Sequence, residues 1–294
     1  MRITSQMMSS RFLEDLNARL ESMERSQSQL TSGKMIQRPS DDPVGVGRAL
    51  SLQESIDQNT QYQRNVDAAR AFLSATETNI RSILDLLQRA RELAVEGSSD
   101  TLSTTGLQAI GQEVDELLSQ GVQLGNGKYQ NFYLFGGTNE AAAPYTLVAG
   151  ANVSVTPPVS PGAINREIGV GQQIQVNVPG DTVLPSVFDA LAALRNAATN
   201  LTPTDVRSTI SQFDSALDDL LGGLAGVGAK LNRLDETQQR YQDVDVNFRG
   251  LLSQVEDTDI ASAVTELQMQ QTAYQAALAT GAQILQPSLI DFLR

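Results

Sequence analysis

Apolar side chains spaced alternately three and four residues apart, over tens of residues at a time, constrain this chain more than anything else in it. The longest ladder runs Val206, Ile210, Phe213, Leu217, Leu220, Leu224, Val227, Leu231, Leu234, Tyr241, Phe248, Leu252 and Val255, with Gln238 and Asp245 as polar members. A half-buried strand alternates every second residue, whereas this spacing keeps one stripe of an α-helix apolar. The ladder opens on Thr202-Pro203-Thr204-Asp205, where proline and an acidic residue in the first turn suit a helix start.

A second ladder comprises Leu52, Tyr62, Val66, Ala69, Leu73, Thr76, Ile80, Ile83, Leu87, Ala90 and Ala94, broken only by Ser55 and Asn59. A helix over 44–96 would extend on the order of 80 Å at about 1.5 Å per residue. Beyond the turn Gly97-Ser98-Ser99-Asp100, Leu107, Ile110, Val114, Leu117 and Leu124 predict a helix over 104–124 that folds back on the second. Narrower seams occupy both ends of the chain. Over 4–32 they are Leu13, Leu16, Leu20, Met23 and Leu30 with Gln27, and after Asp257-Thr258-Asp259 they are Ile260, Val264, Leu267, Tyr274, Leu278 and Leu285 with Gln271 and Gly281. A seam of that width needs a partner helix, from this chain or from another subunit.

Between the long ladders, residues 128–182 change character. Ile174, Val176 and Val178 alternate with polar residues, "NVSV" does likewise, and Pro157, Pro158, Pro161, Gly162, Pro179 and Gly180 supply turns. The expected fold is mainly α: a long antiparallel helical rod with terminal coiled-coil helices and a small β insertion. The expected division is 1–43 with 256–294 as terminal coiled-coil helices, 44–137 with 183–255 as the rod, and 138–182 as an outer β domain. Because the ladders pair without the insertion, the helices are expected to stand without it.

Among 294 residues there is no Cys, no His and no Trp, which removes thiol nucleophiles, Ser-His-Asp triads, histidine metal sites and haem ligation together. A formal charge of −13, with only Lys34, Lys128 and Lys230 as lysines and the arginines dispersed, argues against nucleic acid or an anionic membrane as partner. The N-terminus "MRITSQMMSSRFLEDL" has no apolar signal-peptide core, and no run of about 18 apolar residues marks a membrane span.

Chemistry is most concentrated in "LTSGKMIQRPSDDPVGVGRAL", residues 30–50. As punctuation, Gly33 caps one helix, Ser40, Asp41 or Asp42 caps the next, and Pro43 opens it. As chemistry, Asp41 and Asp42, with Glu256 or Asp257, could bind a hard metal ion or act as acid and base. "GLAGVGAKLN" at 223–232 resembles a phosphate loop only superficially, since Ala229 precedes Lys230, no Ser or Thr follows and no strand precedes. Gly222, Gly223, Gly226 and Gly228 each cost a helix roughly 1 kcal/mol relative to Ala, which close helix approach or a bend would explain.

The 30–50 stretch resembles the spoke turn of bacterial flagellin-like proteins. "VGAKLNRL" at 227–234 is similar to their late core helix, and "VEDTDIASAVTELQMQQTAYQAALATGAQILQPSLIDFL" to their C-terminal helix. Within that superfamily the chain is nearer to the type 3 hook-associated, or hook–filament junction, proteins. Pro43 follows Asp41-Asp42, "GNGKYQNFYLFGGTNE" at 125–140 resembles their N-G-[RK]-Y-x-F-x-G stretch with 130–131 inserted, the ending "QTAYQAAL…SLIDFL" fits, and the flagellin F-N-G-x-x-L-L stretch is missing.

The resemblance implies a structural subunit at the hook–filament junction of the bacterial flagellum, with no enzymatic activity and no cofactor. It implies export without a cleaved signal peptide through the flagellar type III apparatus with a flagellar export chaperone. It further implies self-assembly into a ring-like layer, contact with the type 1 hook-associated protein and with flagellin, and neither nucleic acid nor membrane as partner. The implied subunit interface is Leu16, Leu20, Met23, Leu30, Asp41, Asp42, Pro43, Ile260, Val264, Leu267, Tyr274, Leu278 and Leu285. Two other readings stand beside it: a short flagellin of the filament itself, and a carboxylate-metal enzyme.

Overall fold

In the computed structural model, which describes residues 5–139, 142–148, 154–156 and 162–285, the chain is mainly helical. The helices are α1 (Ser5–Ser32), α2 (Pro43–Gly97), α3 (Thr104–Gly125), α4 (Gly180–Val183), α5 (Pro185–Thr199), α6 (Pro203–Glu256) and α7 (Ile260–Leu285). Between α3 and α4 come β1 (Lys128–Tyr129), β2 (Phe132–Tyr133), β3 (Thr146–Val148), β4 (Ser154–Thr156), β5 (Asn165–Gly169) and β6 (Gln172–Gln175), paired as three antiparallel hairpins, β1 with β2, β3 with β4 and β5 with β6. Most of the turn prolines expected there, Pro157, Pro158 and Pro161, lie outside the described residues.

The chain divides into two compact units, one of residues 59–243 and one of 1–58 with 244–294. Helices α2 and α6 contribute to both.

The 59–243 unit holds the core. Leu73, Ile80, Ile83 and Leu87 of α2 are fully buried, with Val114 and Leu118 of α3 and Phe213, Leu220 and Leu234 of α6. All but Leu118, which is buried where the ladder expected Leu117, are ladder positions, and each such side chain contributes about 1.5–3 kcal/mol by leaving water. Helix α3 starts where Ser103 accepts a hydrogen bond from the Gly106 N–H at 3.1 Å, an ordinary N-cap. The dispersed arginines are spent on pairs between helices: Arg70 with Asp235, Arg91 with Asp214 and Arg195 with Asp115, at 3.0, 2.8 and 2.8 Å.

Helix α5 was not foreseen as a separate element. Its Val187, Phe188, Leu191 and Leu194 are buried in the same core cluster as α2, α3 and α6.

The β insertion also contributes to that core, which weighs against the expectation that the helices stand without it. Tyr145, Ile168, Ile174, Val176 and Val178 are buried in the cluster. The Asn126 side chain donates to the Tyr145 carbonyl and accepts from the Tyr145 N–H, both at 2.9 Å, as a neighbouring strand would. The Tyr145 hydroxyl donates to the Gly180 carbonyl at 2.6 Å, and its ring lies 4.8 Å from that of Phe188. Tyr241 of α6 performs the second tie: its hydroxyl donates to the Ile168 carbonyl, and its ring stacks on Tyr62 of α2 at 5.9 Å.

Of Gly222, Gly223, Gly226 and Gly228 in α6, only Gly223 meets a neighbour, with Val183 about 3.1 Å from where a Cβ would stand. Gly222, Gly226 and Gly228 face open space, so close approach within the chain does not account for them.

Candidate assembly interface

Helix α1 ends at Gly33, whose φ of 71° is the left-handed geometry glycine adopts without strain, and its N–H closes onto the Gln29 carbonyl at 2.8 Å. The next helix is capped by Asp42 rather than Ser40 or Asp41. Asp42 Oδ1 accepts from the Val44 N–H at 3.1 Å and its carbonyl from the Val46 N–H at 2.9 Å, with Pro43 between. Asp41 turns back instead, its Oδ2 accepting from the N–H groups of Arg38 at 2.9 Å and Gln37 at 3.3 Å. Ile36, which sequence reasoning passed over, is buried, and its Cδ1 together with the Asp42 carboxylate fills the space where a Cβ on Gly45 would stand.

This turn is bonded to the turn between α6 and α7. The Met35 N–H donates to the Glu256 carbonyl and the Thr258 N–H to the Gly33 carbonyl, at 2.6 and 2.9 Å, and the Lys34 ammonium meets Glu256 Oε1 at 2.6 Å. Asp257 accepts from the Ser253 hydroxyl at 2.5 Å, and Asp259 caps α7 through the Ala261 N–H at 3.0 Å.

From the joined turns α1 and α7 run together. The buried or half-buried face of α7 is Ala263, Leu267, Gln270, Ala273, Tyr274, Ala277 and Gly281; Leu267, Tyr274 and Gly281 stand where the expected ladder has them, while Ala263, Gln270 and Ala277 each take the place of the residue after them. Phe12 of α1 stands over Gly281, in the space a Cβ would need. Midway, Gln270 Nε2 donates to the Ser22 hydroxyl at 3.1 Å and its Oε1 accepts from the Ser26 hydroxyl at 3.3 Å, which makes a polar lock of the seam.

The expected interface residues therefore separate. Leu16, Leu20, Met23, Leu30, Leu267 and Tyr274 are half-buried within the chain, while Asp41, Asp42, Pro43, Ile260, Val264 and Leu278 are exposed. Leu285 ends α7, but its side chain lies outside the described residues. Leu13, expected in the seam, is 53% exposed because Phe12 takes the inward position.

Among the described residues, this unit buries only Ile36, Ile56 and Ala263 as apolar side chains, yet exposes eleven large ones: Met7, Leu13, Met35, Val44, Leu50, Val246, Leu251, Ile260, Val264, Met269 and Leu278. Single exposed apolar residues are ordinary, but a unit with more of them outside than inside has the make-up of an interaction surface. Helix α7 carries one side chain charged at neutral pH, Glu266, along its length, so little charge opposes its burial.

The carboxylates offered as metal ligands are each engaged, Asp41 and Asp42 with backbone N–H groups, Glu256 with Lys34 and Asp257 with the Ser253 hydroxyl, and among the described residues no cluster of three or more His, Cys, Asp or Glu side chains could hold a metal ion. No described helix is long and apolar enough to cross a membrane.

Two family models match the chain: the bacterial flagellin N-terminal helical region over residues 3–140 and the bacterial flagellin C-terminal helical region over 210–293. Flagellar hook-associated protein 3 of Salmonella typhimurium is 26% identical over 319 residues, covering 100% of each chain. The flagellar filament 30.7 kDa core protein of Treponema maltophilum is 26% identical over 260 residues, covering 86% of this chain and 85% of its own. Among solved structures, FlgL of Bacillus cereus superposes with a TM-score of 0.61 at 23% identity, over 69% of this chain and 99% of that one.

Proposed function

This chain belongs to the bacterial flagellin family, and on that premise we propose that it is the structural subunit joining the flagellar hook to the filament. The observation that carries the junction reading is the end-to-end match to a hook-associated protein 3, insertion included. The eleven outward apolar side chains of the terminal unit are the assembly surface, with Ile260, Val264, Leu278, Asp41, Asp42 and Pro43 facing neighbours and Leu16, Leu20, Met23, Leu30, Leu267 and Tyr274 shaping the α1–α7 pair behind them. Segments 1–43 and 256–294 form an inner coiled-coil layer, 44–137 and 183–255 the rod, and 138–182 the outer part. The subunits close into a short ring-like layer, contact the type 1 hook-associated protein on one side and flagellin on the other, and leave the cell without a cleaved signal peptide, with an export chaperone.

A second reading, a short flagellin, is favoured by one observation: the filament protein of Treponema maltophilum is as identical to this chain as the hook-associated protein is. Electron microscopy of a strain lacking the chain, with an immunoblot of flagellin in the medium, separates the two. The junction reading expects hooks without filaments and flagellin released into the medium. Full-length filaments refute it, and missing filaments without released flagellin favour the short-flagellin reading.

A further inference from the structure

Val44, Gly47, Arg48 and Ser51 on the first turns of α2 face Leu251, Gln254 and Val255 on the last turns of α6 across a groove of about 640 Å³. Val44 and Leu251 are 65% and 47% exposed, and the exposed Arg48 makes no salt bridge among the described residues. An apolar groove with one free cation at its side fits a helix that presents an aliphatic side chain and a carboxylate one turn apart. Such a helix face exists on the chain itself. Leu221 is the only large apolar residue exposed on α6 between 203 and 243, and Asp218, also without a salt bridge, lies one turn before it. Asp218, Leu221, Gly222 and Ala225 follow an i, i+3, i+4, i+7 pattern, all exposed, and Gly222 has nothing near its absent side chain, so another surface can come close.

We infer that the 218–225 face of α6 in one copy docks into the Val44–Leu251 groove of a second copy, with Leu221 in the groove and Asp218 against Arg48. This rests on the assembly reading above and names which surfaces meet. Leu221 and Leu251 stand thirty residues apart on one uninterrupted helix, so the chain cannot fill its own groove. The contact joins two different patches, so each copy offers one to each neighbour and the contact repeats into a ring or a longer array.

The chain has no cysteine, so introduced thiols report without background. A Val44→Cys chain and a Leu221→Cys chain, differently tagged and co-expressed, are oxidised on isolated flagella. A disulfide between the two tags is expected, as it is with Leu251→Cys in place of Val44→Cys. Arg48→Glu should cut its yield about tenfold and Asp218→Arg on the companion chain should restore it. Disulfides only between like chains, disulfides to another protein, or none, with both chains present on the flagella, overturn the inference and leave the junction reading standing. Absence of both chains from flagella refutes that reading, and this inference with it.

Discussion

The Met35 N–H donates to the Glu256 carbonyl at 2.6 Å, so two chain reversals more than two hundred residues apart in sequence are one piece of structure. What holds that piece is main chain and close packing more than charge. Lys34→Ala removes an ion pair whose side chains are 51% and 22% exposed, and should lower stability by less than about 1 kcal/mol. Gly45→Val drives a side chain into Ile36 and the Asp42 cap, and should cost about 1–3 kcal/mol. Limited proteolysis over residues 33–42 should show rapid cleavage in the second variant and little change in the first.

Leu278 is 44% exposed in the single chain, so Leu278→Asp should leave circular dichroism and thermal unfolding unchanged. In an assembly it buries an unpaired charge, at a cost of several kcal/mol per interface. An immunoblot of isolated flagella should find the variant absent although it is expressed. Normal incorporation would take Leu278 out of the interface.

Gly281→Leu fills the place of the Phe12 ring and should part α1 from α7. Protease sensitivity of residues 5–32 should rise while the unfolding of the 59–243 unit keeps its midpoint. Phe12→Ala combined with Gly281→Leu should recover part of the protection, since the ring is the obstacle.

Burial, with the nearby Asp181 carboxylate adding to it, pushes the Tyr145 hydroxyl above its ordinary pKa of 10.0. The folded state therefore keeps a proton that the unfolded state loses, so this stabilisation is complete below pH 10 and falls as pH rises beyond it. Thermal midpoints should decline above pH 10 and decline less steeply in Tyr145→Phe. At neutral pH the same variant loses the bond to the Gly180 carbonyl, which keeps the Leu184 N–H at 3.4 Å, and should cost about 0.5–1.5 kcal/mol.

Replacing residues 145–178 by a short Gly/Ser linker removes Tyr145, Ile168, Ile174 and Val176 from the main core. Helical circular dichroism should melt at a lower temperature than in the intact chain, and Phe188 and Tyr241 should become accessible to chemical probes. An unchanged melt would mean that the helices close over the gap by themselves.

The long helices were legible almost to the residue: 44–96 became Pro43–Gly97 and 104–124 became Thr104–Gly125, because Pro43, Ser103 and the Gly97 turn punctuate a regular ladder. Helix α5 was missed because fifteen residues rich in alanine follow turn-rich sequence and give a short, weak period. The expected α7 ladder departs from the buried face at three positions for a related reason. A scan for large apolar residues finds Ile260, Val264 and Leu278, but a tight helix pair buries what lets backbones approach, here Ala263 and Ala277 beside the expected Gly281. The Asp41-Asp42 pair could not be apportioned from sequence, since either carboxylate can cap a helix; in the fold Asp42 caps α2 and packs with Ile36 against Gly45, while Asp41 turns back to Arg38 and Gln37.

The uneven placement of apolar side chains also determines what a mutational screen can see. In the 59–243 unit a damaging substitution announces itself in the melting curve of the purified chain, because the side chains that matter are already covered there. On the proposed assembly, Ile260, Val264, Met269 and Leu278 of the terminal unit would score as silent in that assay, since their neighbours would be absent from the tube. Only selection for an assembled organelle reads those positions, so the two units of one polypeptide answer to different selective filters and are free to drift at different rates.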